Sequence, residues 1–124
     1  MNITDAISEA GRYIDSVYEA AGYRSEVKHY SRIIDGSIAG ERVISISSDG
    51  YVVHTLEAAC WSLLNSSSYS EAVLAAVNLG YDSDTTAAVA GGLAGLFYGI
   101  ENIPDEWINA LARRDDVIDL CWRF

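Results

Sequence analysis

The chain has 124 residues, half of them apolar and only one of them proline, which fits one folded domain and excludes a disordered segment. Eighteen acidic against eight basic side chains leave a formal charge of −10, which excludes capture of nucleic acid or an anionic membrane surface by charge. The same charge suits a basic protein partner, or does no more than keep the protein in solution.

Ile3, Ala6, Ile7, Ala10, Tyr13, Ile14, Val17, Tyr18 and Ala21 recur at intervals of three and four, one face of an amphipathic helix. Asn2 or Thr4 suits its cap, Asp5 and Glu9 its positive end, and Gly22 its stop. A short helix is expected over 24–34, then an irregular connection to Gly50 in which "RVISIS" is the one strand-like run. From 51 the helical spacing returns, with Val52, Leu56, Ala59, Cys60, Leu63 and Leu64 sharing a face. Ser68 and Glu71 have the spacing of a capping box, and Gly80 that of a left-handed C-cap.

The segment from Ser83 or Asp84 to Tyr98 is apolar all round, which predicts a central helix with neighbours on every side. Gly91, Gly95 and Gly99 recur every four residues along it and would let another backbone come close. Pro104 opens "IPDEWINALARR", whose early acids and late arginines match the helix dipole. The expected fold class is all-α: one compact domain over 1–124 around a buried small-residue helix.

Cys60 and Cys121 lie 61 positions apart in apolar runs beside tryptophan, and are expected to be free buried thiols. The opening residues lack a basic start and an apolar run, and the longest apolar stretch, 87–98, is too short for a bilayer. The cytoplasm is the expected compartment. His29 is expected to be solvated and His54 structural. The glycines at 91, 92, 95 and 99 fall within a helix, so they do not form a phosphate-binding loop.

One constellation offers chemistry. Asp82, Asp84 and Thr85 gather hard oxygen donors at a helix start, and magnesium or manganese takes such donors while keeping several waters. The same residues also suit a plain cap, with Ser83 or Asp84 closing the helix and Asp82 solvated beside it. Residue types alone leave both readings open.

The order of residues adds to this. "AVNLGYDSDTTAAVAGGLAGLFYG", followed by "IPDEW", resembles the C-terminal core of the ADP-ribosylglycohydrolase family, of the dinitrogenase-reductase-activating type. There a run of the form A-V-N-x-G-x-D-x-D-T precedes a small-residue helix and an "IP..W" segment. "GYVVHTLEAACWSLL" and "SYSEAVLAAV" resemble the two helices upstream of it. The resemblance covers about residues 48–112 and leaves 1–47 as an amino-terminal helix and connection.

The resemblance implies an all-α fold with a binuclear magnesium, sometimes manganese, centre. It also implies hydrolysis of the N- or O-glycosidic bond joining ADP-ribose to a protein side chain or small molecule. Asp82, Asp84 and Thr85 match the family's second metal-binding motif. The family's amino-terminal "GDALG"-like segment and Thr-Asp-Asp element, which supply the other ligands, do not occur here. "SSDG" (47–50), "RRDD" (113–116), "ITD" and "IIDG" (33–36) do not reproduce them.

An incomplete site that holds magnesium or manganese weakly is therefore expected. The leading expectation is a truncated, catalytically inactive relative that acts as a protein-binding module or inhibitor of a basic partner. Phages use small acidic relatives of enzymes in this way against host defence, anti-CRISPR proteins included. The competing expectation is a magnesium-dependent ADP-ribosyl hydrolase, active as a homodimer or with a second chain. A third is a fragment of a longer enzyme, against which the initial methionine and capped first helix weigh. Tyr13, Tyr18, Tyr23, Tyr30, Tyr51 and Tyr69 could furnish an interface, or serve the core.

Overall fold

The computed structural model describes residues 2–124 and is helical throughout, with no strand among the described residues. Helix α1 spans Ile3–Ala20; the Asn2 side chain accepts from the Asp5 N–H at 2.8 Å, and the chain turns at Gly22 with φ +80°. The segment expected as one short helix is broken into α2 (Arg24–Val27), a 3-10 turn (Lys28–Tyr30) and α3 (Ser31–Ile34). Two further 3-10 turns, Ser37–Gly40 and Val43–Ser45, lead to α4.

The strand-like "RVISIS" is thus a turn. Strand pairing needs a second extended run, and the chain offers none beside it. Instead Ile46 drops into a cluster with Ile38 and Ala58 while Ile44 points to solvent.

Helices α4 (Val52–Leu64), α5 (Tyr69–Val77) and α6 (Ser83–Tyr98) pack on one another as the main body. Their contacts are made by small side chains: Ala59, Ala76 and Ala90 meet at one level, and Leu63, Ala72 and Ala94 at another. Alanine at these crossings lets helix axes approach closely.

The helix enclosed on most sides is α4, in which eight residues are buried, against three in α6. Burial in α6 follows Thr86, Ala90 and Ala94, while Leu96 is 88% exposed. The expected ring of neighbours around α6 is therefore present on one side only. The glycine stripe faces a ring and not a backbone: a Cβ at Gly91 would lie 3.4 Å from the Tyr69 Oη, and one at Gly95 3.9 Å from the Tyr69 Cε2. On α4, Val52 is exposed instead of joining the buried face, and the buried set extends to Val53, Thr55, Glu57, Ala58 and Ser62.

Ser68 caps α5, its Oγ accepting from the Glu71 N–H at 3.2 Å. The Glu71 carboxylate reaches one residue further back than a capping box requires, accepting from the Ser67 N–H and hydroxyl at 2.8 and 2.7 Å. These two bonds hold its carboxyl below the usual glutamate range.

Charge is buried in α4 as well. The Glu57 carboxylate, 8% exposed, is gripped on both oxygens by Arg32 of α3, and Glu41 stands 3.7 Å from the same guanidinium. The bidentate bond to Glu57 raises the pKa of Arg32 despite partial burial.

After α6 a 3-10 turn (Ile100–Asn102) and Pro104 lead into α7 (Asp105–Ala110), tied to α5 by the Trp107 ring 6.1 Å from that of Tyr69. The helix expected across "IPDEWINALARR" stops at Ala110. Leu111 is extended, Arg113 is left-handed at φ +56°, and α8 starts afresh over Arg114–Arg123. Its principal neighbour is α7, and Val117, Leu120, Trp122 and Phe124 are all exposed. Cys60 is buried as expected, whereas Cys121 is exposed on α8. No helix of the described residues is long and apolar enough to cross a membrane.

Candidate functional site

The turn between α5 and α6 carries the acidic motif. Gly80 at φ +78° and Tyr81 at φ +53° are successive left-handed residues that reverse the chain within two positions. A tyrosine in this region is uncommon and costs about 1 kcal/mol or more, which the surrounding packing must hold in place. Its ring is almost fully exposed.

Asp82 then occupies the position preceding the first turn of α6. Its carbonyl accepts from the Thr86 N–H at 3.1 Å and from the buried Thr86 hydroxyl at 3.2 Å. Its side chain caps no N–H; Oδ1 accepts instead from the Thr85 hydroxyl at 2.9 Å. The residue preceding the helix is thus Asp82, and not Ser83 or Asp84, both of which lie within its first turn. Asp84 and Thr85 lie exposed in the first helical turn, and Asp82 is half-buried.

Among the described residues no basic side chain forms an ion pair with Asp82 or Asp84. Asp82 and Thr85 are in contact at the start of α6, and Asp84 lies exposed in the same turn. Among the described residues no group of three or more His, Cys, Asp or Glu is arranged to hold a metal. Two carboxylates and a hydroxyl fit one hydrated magnesium or manganese ion, which needs few protein oxygens. They do not fit a binuclear centre, whose bridging and terminal donors come from both sides.

The other acidic stretches lie elsewhere or are already engaged. The acid of "ITD" starts α1 and that of "IIDG" follows α3, where the Ser37 N–H is bonded to Asp35 at 2.8 Å. In "RRDD", Asp116 pairs with Arg113 at 2.7 Å and Asp115 with Arg114 at 3.8 Å.

Only "SSDG" reaches the motif. The Ser48 carbonyl accepts from the Asp82 N–H at 2.9 Å, and the Ser48 hydroxyl donates to the Gly80 carbonyl at 2.8 Å. Gly50, at φ +86°, leaves room for the carboxylate: a Cβ there would lie 2.8 Å from the Asp82 Oδ2. Sequence reasoning passed over this loop because it lacks the family's metal pattern. It meets Asp82 itself through a backbone carbonyl, which residue types do not announce. A hollow of about 270 Å³, lined by Ile44 to Asp49, Leu79 and Tyr81, opens beside the two loops.

His54, one turn into α4, is neither free nor a member of a triad. Its Nδ1 lies 2.9 and 3.1 Å from the two Asp49 oxygens, and the Tyr51 ring stands edge-on to it at 5.0 Å. Asp49 is held below the usual aspartate range by His54 first and by the Tyr51 N–H second. His29 is half-exposed near Glu26.

An all-α body with an Asp-x-Asp-Thr turn leading into a small-residue helix defines the class, and the ADP-ribosylglycohydrolase model matches residues 1–124. The chain belongs to the ADP-ribosylglycohydrolase family. It is 44% identical over 75 residues to the ADP-ribosylarginine hydrolase Tri1 of Serratia proteamaculans (strain 568), covering 60% of this chain and 20% of that protein. It is 51% identical over 67 residues to the Tri1 of Pseudomonas putida (strain GB-1), covering 54% and 18%. A third relative is the ADP-ribosyl-[dinitrogen reductase] glycohydrolase of Rhodospirillum rubrum, 36% identical over 64 residues and covering 52% and 22%. The matched region thus spans about a fifth of the length of these relatives.

Proposed function

We propose that the Asp82–Asp84–Thr85 turn holds one hydrated divalent cation, magnesium or manganese, as half of a glycohydrolase site. By itself this chain binds and does not turn over ADP-ribosyl bonds. The observation that carries the reading is that all three oxygen donors come from a single turn. When bound, a cation there would polarise ribose hydroxyls and orient water. Asp82, held by Ser48 and Thr85, would bind the ion together with the exposed Asp84 and Thr85.

In this reading the chain acts through a protein partner, which a formal charge of −10 would steer towards it if that partner is basic. Inhibition of such a partner, as in anti-defence or anti-CRISPR proteins, is the form this action would take. Thermal unfolding in magnesium or manganese tests the cation: a rise in Tm that is lost in Asp82→Ala and Asp84→Ala supports it, and no rise in the wild type refutes it. Recovery of only acidic partners, or of none, by affinity capture counts against the binding role.

A second reading is favoured by the open faces. An apolar cleft of about 370 Å³ runs between Ile7 and Ile14 of α1, Leu56 of α4 and the half-exposed Phe97 of α6. A second polypeptide carrying the remaining family ligands would complete a hydrolase by covering such surface. Release of ADP-ribose from ADP-ribosylated arginine in magnesium, by this chain as a homodimer or with such a second polypeptide, would replace the first reading with this one.

A further inference from the structure

We propose that Asp49 and His54 form a positioning pair that sets the orientation of the Asp82 carboxylate through the loop between them. The proposal rests on the reading of Asp82 as a cation ligand, which it deepens. The loop Ser47–Tyr51 meets the acidic turn at two points on either side of Asp49. Before it, the Ser48 carbonyl accepts the Asp82 N–H at 2.9 Å, and after it, Gly50 lies against the Asp82 Oδ2. Asp49 itself faces the other way. Its Oδ1 accepts from the Tyr51 N–H at 3.1 Å, closing a short turn, and both oxygens meet His54 Nδ1 at 2.9 and 3.1 Å.

His54 belongs to α4, the most enclosed helix, so the pair ties a surface loop to the rigid part of the body. Tyr51 supplies no side-chain cap to α4, and the Asp49 carboxylate accepts from its N–H just before that start. The geometry needs glycine at 50. A side chain there would be strained at φ +86° and would strike the Asp82 carboxylate, 2.8 Å from where its Cβ would fall. A loop that carries the glycine against Asp82 is useful only if it stays in register, and Asp49 supplies its side-chain hydrogen bond to α4 beside the edge-on contact of the Tyr51 ring with His54.

An exposed pair of this kind has a modest effect on global stability, so its role must be read locally. The test is hydrogen exchange of the metal-free full chain, resolved by residue, in Asp49→Ala, His54→Phe and Asp49→Asn. Asp49→Ala and His54→Phe are expected to speed exchange at the Asp82 N–H by about threefold to tenfold, with the Ala76 N–H in the body unchanged. Asp49→Asn keeps an oxygen for the Tyr51 N–H and for a protonated Nδ1, and is expected to restore most of the protection.

Unchanged exchange at Asp82 would overturn the proposal. So would an equal rise at Asp82 and Ala76, which would show only a loss of global stability. The magnesium-dependent rise in Tm, measured on the same proteins, separates the two readings. If wild type shows no rise but Asp82 exchange responds as expected, the cation reading fails and the positioning role of the pair stands. If wild type shows a rise that His54→Phe leaves intact, with exchange unchanged, the cation reading stands and the positioning role fails.

Discussion

Helices α4 to α6 and helix α8 are both written with apolar residues at helical spacing, yet one set is buried and the other is not. In the body, alanines at 59, 76 and 90 bring three helices together, and the larger Leu63 and Leu93 fill the space beside them. In α8, Leu120 is 60% and Trp122 84% exposed, because its principal neighbour, α7, is too short to cover them. The difference teaches that apolar spacing makes a helix, whereas contact needs a partner of matching shape. Small residues provide that match on two or three helices at once, and large ones on a single helix do not.

The largest contrast is expected in thiol chemistry. Burial pushes the Cys60 thiol up to about 11, while Cys121 lies exposed on α8. Iodoacetamide at neutral pH should modify Cys121 in the folded protein and Cys60 only through opening, at rates differing by about a hundredfold or more. Peptide mapping over time measures this, and equal rates would break the comparison.

Next comes the buried charge of the body. Arg32→Ala leaves Glu57 unpaired inside α4 and should cost about 2–4 kcal/mol, somewhat below a fully buried pair because Arg32 is one-third exposed. Urea unfolding measures it, and replacing both residues by apolar ones of similar size should recover part of the loss.

Packing density gives the third test. Ala90→Leu adds volume where Ala59 and Ala76 already touch, with an expected cost of about 1–3 kcal/mol. Leu120→Ser on α8 should stay within about 0.5 kcal/mol of wild type, because the side chain is already in water. Similar costs for the two would show that α8 is covered in solution.

The smallest effect is at the cap of α5. The Ser67 hydroxyl and N–H lower the Glu71 pKa from 4.5, so the folded state releases this proton at lower pH than the unfolded chain. The stabilisation is therefore present above about pH 4.5 and is lost as pH falls through the folded-state value. Glu71→Gln should be less stable than wild type at pH 7, and the gap should close below pH 4.5. A gap that persists in acid would assign the effect to shape instead of charge.

Local signals were read well where one residue sufficed. Asn2 and Ser68 cap the helices expected of them, and Gly22 and Gly80 turn the chain left-handed. Asp82 and Thr85, three positions apart at the start of α6, meet through the Thr85 hydroxyl, as that spacing allows. The order of residues around them was enough to indicate the family that the whole chain matches.

What could not be read depends on pairs distant in the chain. "RVISIS" has strand-forming residues but no partner strand, so Ile46 is claimed by Ile38 and Ala58 instead. The stripe of Gly91 and Gly95 promised a backbone and received the Tyr69 ring, because α5 presents that side chain there. The centre of the body passed from α6 to α4, since α3 and the turn at Ser37–Gly40 cover one flank of α4 while Leu96 on α6 stays exposed.

The sequence by itself determined the helices, their caps, the acidic turn and the family, because each rests on neighbours within a few positions or on residue order. Only the tertiary structure decided that "SSDG" meets the acidic turn. The contacts run through the Ser48 carbonyl, a group every residue possesses, and the bare Cα of Gly50, and folding alone brings both against Asp82.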